Sequence, residues 1–418
     1  MKPIYFVFLF FVLFSGCQPS RDQSAKTEEE LKALASELAH QYILTDGHVD
    51  LPYRIKEDNW GIDEGIIGSE TSKPVGDLDV FRAKKGGLDA PFMSIYIPSG
   101  YQKKNDKGEM IGGGKTLADS LINLVESITT KYPEQYALAK TPAEIEANFK
   151  AGKISLPMGL ENGAPIGKDL ANVKYFFDRG IRYITLTHGK DNQICDSSYD
   201  TTYTWNGLSP FGEEVVKEMN RVGIMVDVSH VDDSTFYDVM KVAKAPAIAS
   251  HSSCRYFTPD FRRNMTDDMI KVLAKNGGVI QINFGASFLD SAVRANRPRV
   301  DSLGKILKSK DLLSRDEAAQ SIIAQFGAHK DFYSNVERVA DHIDHVRDIA
   351  GIDHVGIGSD FDGVGDSLPE GLKDVSMYPN LIYVLLKRGY SEEDIQKICS
   401  GNVFRAWNKV LALANQNK

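Results

Sequence analysis

The sequence predicts an α/β protein, a (β/α)8 barrel of the TIM type with inserted loops and C-terminal helices. Three observations lead there. Eight apolar runs of strand length are nearly all separated by helical patterns, and repeated βα units imply a parallel sheet. No G-x-G-x-x-G follows the first strand, so an open nucleotide-binding sheet fits less well. Six runs carry an imidazole or carboxylate at their far end: Ile43–Asp50, Ile154–Glu161, Tyr183–His188, Ile224–His230, Ala247–His251 and His354–Asp362. Chemistry gathered at the ends of successive strands is how a parallel barrel builds an active site.

The elements follow in order. Thr27 and Glu30 form a capping-box start for a helix to about His40, with Leu31, Leu34 and Leu38 on one face. Ile43–Thr45 is the first strand and Phe92–Ile97 the second, closed by Pro98-Ser99-Gly100. The polar stretch Tyr101–Gly114 reads as a long loop. Helical spacing over Thr116–Lys131 and Thr141–Ala151 precedes the strand ending at Glu161. Helix and strand then alternate: Leu170–Arg179 with Tyr183–Thr187, Glu213–Arg221 with Ile224–Val228, and Ser234–Val242 with Ala247–Ser250. Thr266–Lys275 leads to Val279–Phe284, and Asn335–Ala350 to Val355–Gly358. Gly285–Lys330 is irregular and charged, and reads as an insertion or mobile cover over the barrel mouth. Two outer helices from Asn380 to Leu413 end the chain.

Composition narrows the function classes. With 418 residues, a net charge of −8 and a pI near 5.7, the chain offers no field for nucleic acid, so no nucleic-acid partner is expected. Lys2 precedes an apolar run, Ile4–Phe14, and then Ser15-Gly16-Cys17. That run is shorter than the ~20 residues a membrane span needs and matches the apolar region of an export signal. The small residues before Cys17 resemble a bacterial lipobox. The expected organisation is a lipoprotein-type signal peptide over 1–17, a tether and N-terminal helix over 18–39, and the barrel over 40–418. The protein is then exported to the cell envelope, periplasm or outer surface, and held to the membrane only through a lipid on Cys17. Cys195, Cys254 and Cys399 are too widely spaced for a zinc motif. A disulfide between Cys195 and Cys254 is left open.

The ligand set is the most informative feature. His48 and Asp50 are two apart at a strand end, so their side chains share a face. Glu161 ends the third strand, where a carboxylate could also serve as an N-cap. His230 and His251 end neighbouring strands, each preceded by serine. Together these are three imidazoles and two carboxylates. If Glu161 bridges, each of two cations gains about three protein ligands and keeps a position for water. Two such ions about 3.5–4 Å apart share a hydroxide nucleophile and polarise a carbonyl. Mixed imidazole and carboxylate ligands without thiolate favour Zn²⁺, with Mn²⁺ or Co²⁺ open. His342 and His345, beside Asp341 and Asp344, read as one face of an outer helix, and His354 as a structural residue at the opposite rim.

These segments resemble the membrane dipeptidase (renal-type) family of the amidohydrolase superfamily. The resemblance rests on DGHVDLP at 46–52, GLENG at 159–163, LTH at 186–188, DVSH at 227–230, SHSS at 250–253, RRN at 262–264 and GSDFDG at 358–363. It runs from about residue 43 to Asn402. It implies a barrel with two zinc ions, one on His48 and Asp50, the other on His230 and His251, with Glu161 bridging. His188 and Arg263 would bind the substrate carbonyl or carboxylate, Arg263 being chosen over Arg262 because it directly precedes Asn264. Asp360 would carry the proton, staying ionised near the cations until it takes it from the nucleophile. Asn283-Phe284-Gly285, after the seventh strand, lacks a tyrosine that some members use near the substrate. The implied substrates are dipeptides with a free C-terminal carboxylate; a homodimer is left open. The alternative is another binuclear amidohydrolase acting on cyclic amides or β-lactam-like rings. Against it, no strand-end lysine is available for carbamylation and Glu161 takes the bridging place. A non-catalytic lipoprotein using the barrel for binding is disfavoured by the full ligand set plus Asp360.

Overall fold

The computed structural model describes residues 26–68, 75–296, 298, 333–365 and 367–416. Eight parallel strands lie side by side in chain order: β1 (Leu44–Val49), β2 (Leu88–Tyr96), β3 (Met158–Glu161), β4 (Ile181–Thr185), β5 (Met225–Asp227), β6 (Ile248–Ala249), β7 (Val279–Ile282) and β8 (Val355–Ile357). They are buried nearly throughout, which is why they read as apolar runs rather than alternating ones. The barrel closes just beyond β8. Val49 bridges Phe361, the Asp50 N–H donates to Phe361 O at 2.9 Å, and the Asp360 N–H donates to His48 O at 3.1 Å.

Helices cover the outside, and their ends follow local chemistry. The helix Pro210–Val222 starts at Ser209, whose hydroxyl accepts from the Gly212 N–H, has proline in its first turn, and stops at left-handed Gly223. Its Val215, Val216 and Met219 are buried against the strands. The helix Glu28–Gln41 has the capping box expected from Thr27 and Glu30, and buries Ala35, Leu38 and Ala39 in the main core. Beneath the barrel, Trp407 of the last helix packs on Phe92, which packs in turn on Tyr183, each pair 5.4 Å apart.

Four local expectations change. Ile154–Glu161 is not one strand: Ile154–Leu156 pairs with Tyr136–Leu138 outside the barrel, and Pro157, which has no N–H to give a ladder, separates it from β3. Within Tyr101–Gly114 lies a small hairpin, Lys103–Lys104 against Met110–Gly112, its turn held by Asn105 accepting from the Lys107 and Glu109 N–H groups. The terminal region holds four helical pieces rather than two: Tyr378–Lys387, Glu392–Gln396, a π-turn at Lys397–Gly401, and Asn402–Gln416. Of the Gly285–Lys330 cover, Ala286–Leu289 is a short helix at the mouth, while residues 299–330 lie outside the described residues, as do 1–25 with the export segment and Cys17.

Asp89 on β2 provides a test of the packing. Burial pushes its carboxyl up to about 7, against a hydrogen bond from the Leu44 N–H and the charge of His40. In the unfolded chain it titrates near ~4. The folded state therefore binds the proton more tightly, and stability falls as pH rises between those two values. Asp89→Asn should stabilise the protein by about 2–4 kcal/mol at pH 8 and by little at pH 4, measured as urea unfolding free energy against wild type.

Candidate active site

The strand register sets one row of side chains at the C-terminal end of the barrel. Tyr96 stands opposite Glu161, Glu161 opposite Thr185, and Thr185 opposite Asp227. Glu161 is the centre. Its Oε1 lies 3.1 Å from His230 Nε2, 3.4 Å from His251 Nε2 and 3.6 Å from His188 Nε2. Its Oε2 lies 3.3 Å from His48 Nε2 and accepts from the Ser94 hydroxyl at 3.2 Å. His48 Nε2 is 3.4 Å from Asp50 Oδ2. Three overlapping groups result, each within 4.8 Å: His48, Glu161 and His251; Glu161, His188 and His230; His48, Asp50 and Asp360. All seven side chains expected at the strand ends meet here.

These residues fit divalent cations. The Nε2 atoms of His230 and His251 face each other at 2.9 Å. His48 Nε2 and Asp50 Oδ1 are buried without a hydrogen-bond partner, a cost that a cation removes. Gly363 leaves the space open, since a Cβ there would lie 2.1 Å from Asp360 Oδ1 and 2.3 Å from Asp50 Oδ2. The electrostatics agree. Burial pushes Glu161 up, but the imidazoles of His48 and His188 and the hydrogen bonds of His230 and His251 hold it well below the usual range. Burial, with Arg263 and neighbouring imidazoles, keeps His230 and His251 well below theirs, so both imidazoles are neutral, the form a cation requires.

A second layer fixes the orientation of the rings. Asp227 Oδ1 accepts from the N–H groups of Ser229 and Ser250 at 3.0 and 2.8 Å, and Oδ2 from the Thr185 and Ser250 hydroxyls at 2.5 and 2.6 Å. With its proton given to Asp227, the Ser250 oxygen can only accept from His251 Nδ1, 2.8 Å away. That fixes the tautomer and leaves the Nε2 lone pair on the cluster side. Asp46 does similar work on β1, accepting from the N–H groups of His48 and Ser359 at 3.0 and 2.9 Å and from the Tyr378 hydroxyl. Tyr183 meets His48 Nδ1 at 2.9 Å. Two site residues hold left-handed backbones that favour glycine, His230 with φ 68° and Asp360 with φ 65°, a strain of order ~1 kcal/mol each. The His230 carbonyl is pinned by the Ser198 N–H at 2.8 Å, and the Asp360 N–H by the His48 carbonyl.

In front of the cluster opens a cavity of about 1150 Å³, with Tyr96, His188, Tyr199, Phe261, Phe288 and Asp360 among its walls. Arg263 stands behind the wall. It is 3% exposed, donates to Ser252 Oγ at 2.6 Å and His251 O at 2.7 Å, and lies over the Phe288 ring. Arg262 instead pairs with Asp232 and meets Tyr203 at the surface. Sequence reasoning missed Tyr96 and Tyr199. Tyr96 was findable, because it ends a strand in the same row as Glu161. Tyr199 sits in a loop with no periodicity to place it.

Three further histidines, His342, His345 and His354, are structural. His342 is fully buried and neutral, accepting from the Cys254 N–H at 3.0 Å through Nδ1 and donating to Leu289 O at 3.0 Å through Nε2, while burial pulls its pKa down to about 3. His345 pairs with Asp267, and His354 bonds Gly278 O. Cys195 and Cys254 form no disulfide. Both are buried free thiols in separate surroundings, Cys254 facing His342 O and Cys195 facing Thr235. The relay generates a test: Ser250→Ala should weaken divalent-metal affinity about 10–100-fold while circular dichroism stays that of wild type, measured by competitive chelator titration.

Comparison with known proteins gives a consistent picture. The family model for membrane dipeptidases (peptidase family M19) matches residues 32–418. An uncharacterized dipeptidase of Schizosaccharomyces pombe is 30% identical over 369 residues, covering 87% of this chain and 80% of that protein. The crystal structure of the probable dipeptidase PvdM from Pseudomonas aeruginosa superposes with a TM-score of 0.73 at 26% identity, covering 92% of this chain and all of the other. A metallopeptidase from Rhodobacter sphaeroides shares the fold, with a TM-score of 0.70 at 24% identity over 88% of this chain and 99% of that one. With its strand-end ligands gathered around Glu161 in a parallel barrel of the same architecture, the chain belongs to the membrane dipeptidase family, peptidase family M19, and is a metallodipeptidase.

Proposed function

We propose that the protein is a zinc dipeptidase holding two ions and cleaving dipeptides that end in a free carboxylate. The observation that carries the two-ion reading is the division of Glu161: one oxygen faces His48, the other faces His230 and His251. His48 and Asp50 would hold one ion and His230 and His251 the other, with Glu161 bridging. Nitrogen and carboxylate ligands without thiolate favour zinc. Bound there, the ions supply an activated water as nucleophile and polarise the scissile carbonyl.

The chain's own groups do the rest. His188 lines the cavity 3.6 Å from Glu161. Burial and Arg263 lower its pKa, against the pull of Glu161, so a neutral imidazole is available to donate an N–H to the carbonyl oxygen as charge develops there. Asp360 is held by Asn283, whose Nδ2 donates to Oδ2 at 2.7 Å. Burial pushes its carboxyl well up, with Asp50 and Glu161 adding to the rise and His48 opposing it. With cations held in the cluster the Asp360 carboxylate would be favoured, and it would take the nucleophile's proton and pass it to the leaving amine. Arg263 spends two of its five N–H donors on Ser252 and His251, leaving three for a terminal carboxylate. The Rhodobacter sphaeroides relative was solved with a phosphinate mimic of L-Ala-D-Ala, which makes L,D dipeptides the natural companions to L,L ones in a substrate panel.

We further propose, from Ile4–Phe14 and Ser15-Gly16-Cys17, that the protein is exported and lipid-anchored at Cys17.

Two measurements test these readings. On a panel of L,L and L,D dipeptides, tripeptides and N-blocked peptides, Asp360→Asn should lose activity at least ~100-fold with metal retained. His230→Ala should lose both activity and metal in the same assays; near-normal turnover by Asp360→Asn would remove it from proton transfer. Fatty-acid labelling of cells expressing the full chain should mark wild type and leave Cys17→Ala unlabelled.

A further inference from the structure

We infer that Tyr199 is a substrate-binding residue whose phenolic O–H grips the terminal carboxylate of the dipeptide beside Arg263, an assignment that rests on the dipeptidase reading above. The loop leading into it is tied to the site. Ser197 forms an antiparallel bridge with Val231 and its hydroxyl donates to the His188 carbonyl. The Ser198 N–H donates to the His230 carbonyl at 2.8 Å, and the Tyr199 N–H to Ser197 Oγ at 3.2 Å. The backbone that delivers the tyrosine therefore hangs from two histidines of the cluster, and its position is set by theirs.

The side chain is placed for contact. Its ring centroid lies 5.7 Å from that of His230 and 6.1 Å from that of Phe261. Tyr199 is 44% exposed, and among the large exposed side chains Phe81, Tyr101, Tyr199, Tyr203, Trp205 and Tyr256 it is the one that lines the cavity. A large aromatic left open on the wall of a cavity is ready to meet a ligand. Phe261 packs in turn on Phe288 at 5.2 Å, and the Arg263 guanidinium lies over the Phe288 ring at 5.4 Å, so the tyrosine and the guanidinium flank the same aromatic pair. A phenol keeps its proton at neutral pH, so the group is a neutral O–H donor. A neutral donor next to a guanidinium suits a carboxylate, which accepts from both, better than it suits an ammonium, which offers only donors.

Tyr199→Phe keeps the ring and removes the hydroxyl, so packing on His230 and Phe261 is conserved. With metal-loaded full-length protein, a dipeptide cleaved by wild type and its C-terminal amide are compared as substrates. The expected result for Tyr199→Phe is a KM for the free acid raised about 10–100-fold, kcat within about threefold of wild type, unchanged metal content, and little change in kcat/KM for the amide. Three results overturn the assignment: a wild-type KM for the free acid, an equal loss on acid and amide, or loss of metal, which would make Tyr199 a support for His230. If metal-loaded wild type cleaves no dipeptide at all, the dipeptidase reading fails first and this one falls with it; activity in wild type with an indifferent Tyr199→Phe sinks this one alone.

Discussion

A single buried carboxylate set among four imidazoles organises this molecule. Among the described residues Glu161 has no lysine or arginine partner; its neighbours are His48, His188, His230 and His251, from four different strand ends. Water is largely excluded there, so unpaired donors and lone pairs are expensive. Such a group of side chains is stable together only if every orientation is imposed from behind or a cation sits between them. The protein does the first through Asp46, Asp227, Ser250 and Tyr183, and the ligand chemistry invites the second.

The same arrangement explains why β5 and β6 are so short and still hold register. Asp227 ends β5 and binds a hydroxyl of β4 and both the hydroxyl and the N–H of Ser250, just past β6. One side chain thus replaces ladder bonds that a two- or three-residue strand cannot supply. Stability and site geometry are here the same set of bonds, which fits the general finding that conserved geometry in a metal site extends beyond its ligands.

Much of this was legible in the sequence, for definite reasons. His48 and Asp50 were readable because a strand's period of two puts them on one face, and His230 and His251 because each follows an apolar run at an equivalent depth. The barrel itself was readable from alternating periodicities. What was not readable depends on three-dimensional proximity without a periodic signal. The left-handed backbones of His230 and Asp360 were not readable, because histidine and aspartate adopt positive φ more readily than most residues but in only a small share of their occurrences. The serines before His230 and His251 were visible as a pattern, but that Ser250 links an aspartate to a ring required coordinates. Two misses had available signals: Pro157 inside an apolar run marks an interrupted strand, and Asn105 to Gly108 carries the polar-glycine composition of a hairpin turn.

The seam of the barrel falls at Val49 and Phe361, more than three hundred positions apart along the polypeptide, and it runs through the centre itself, because His48 and Asp360 supply one of its bonds. A chain that stops short of Asp360 therefore lacks both the seam and one wall of the centre. The group of His48, Asp50 and Asp360 is assembled only where the first and last βα units meet, so closing the ring and completing that part of the centre depend on the same contact.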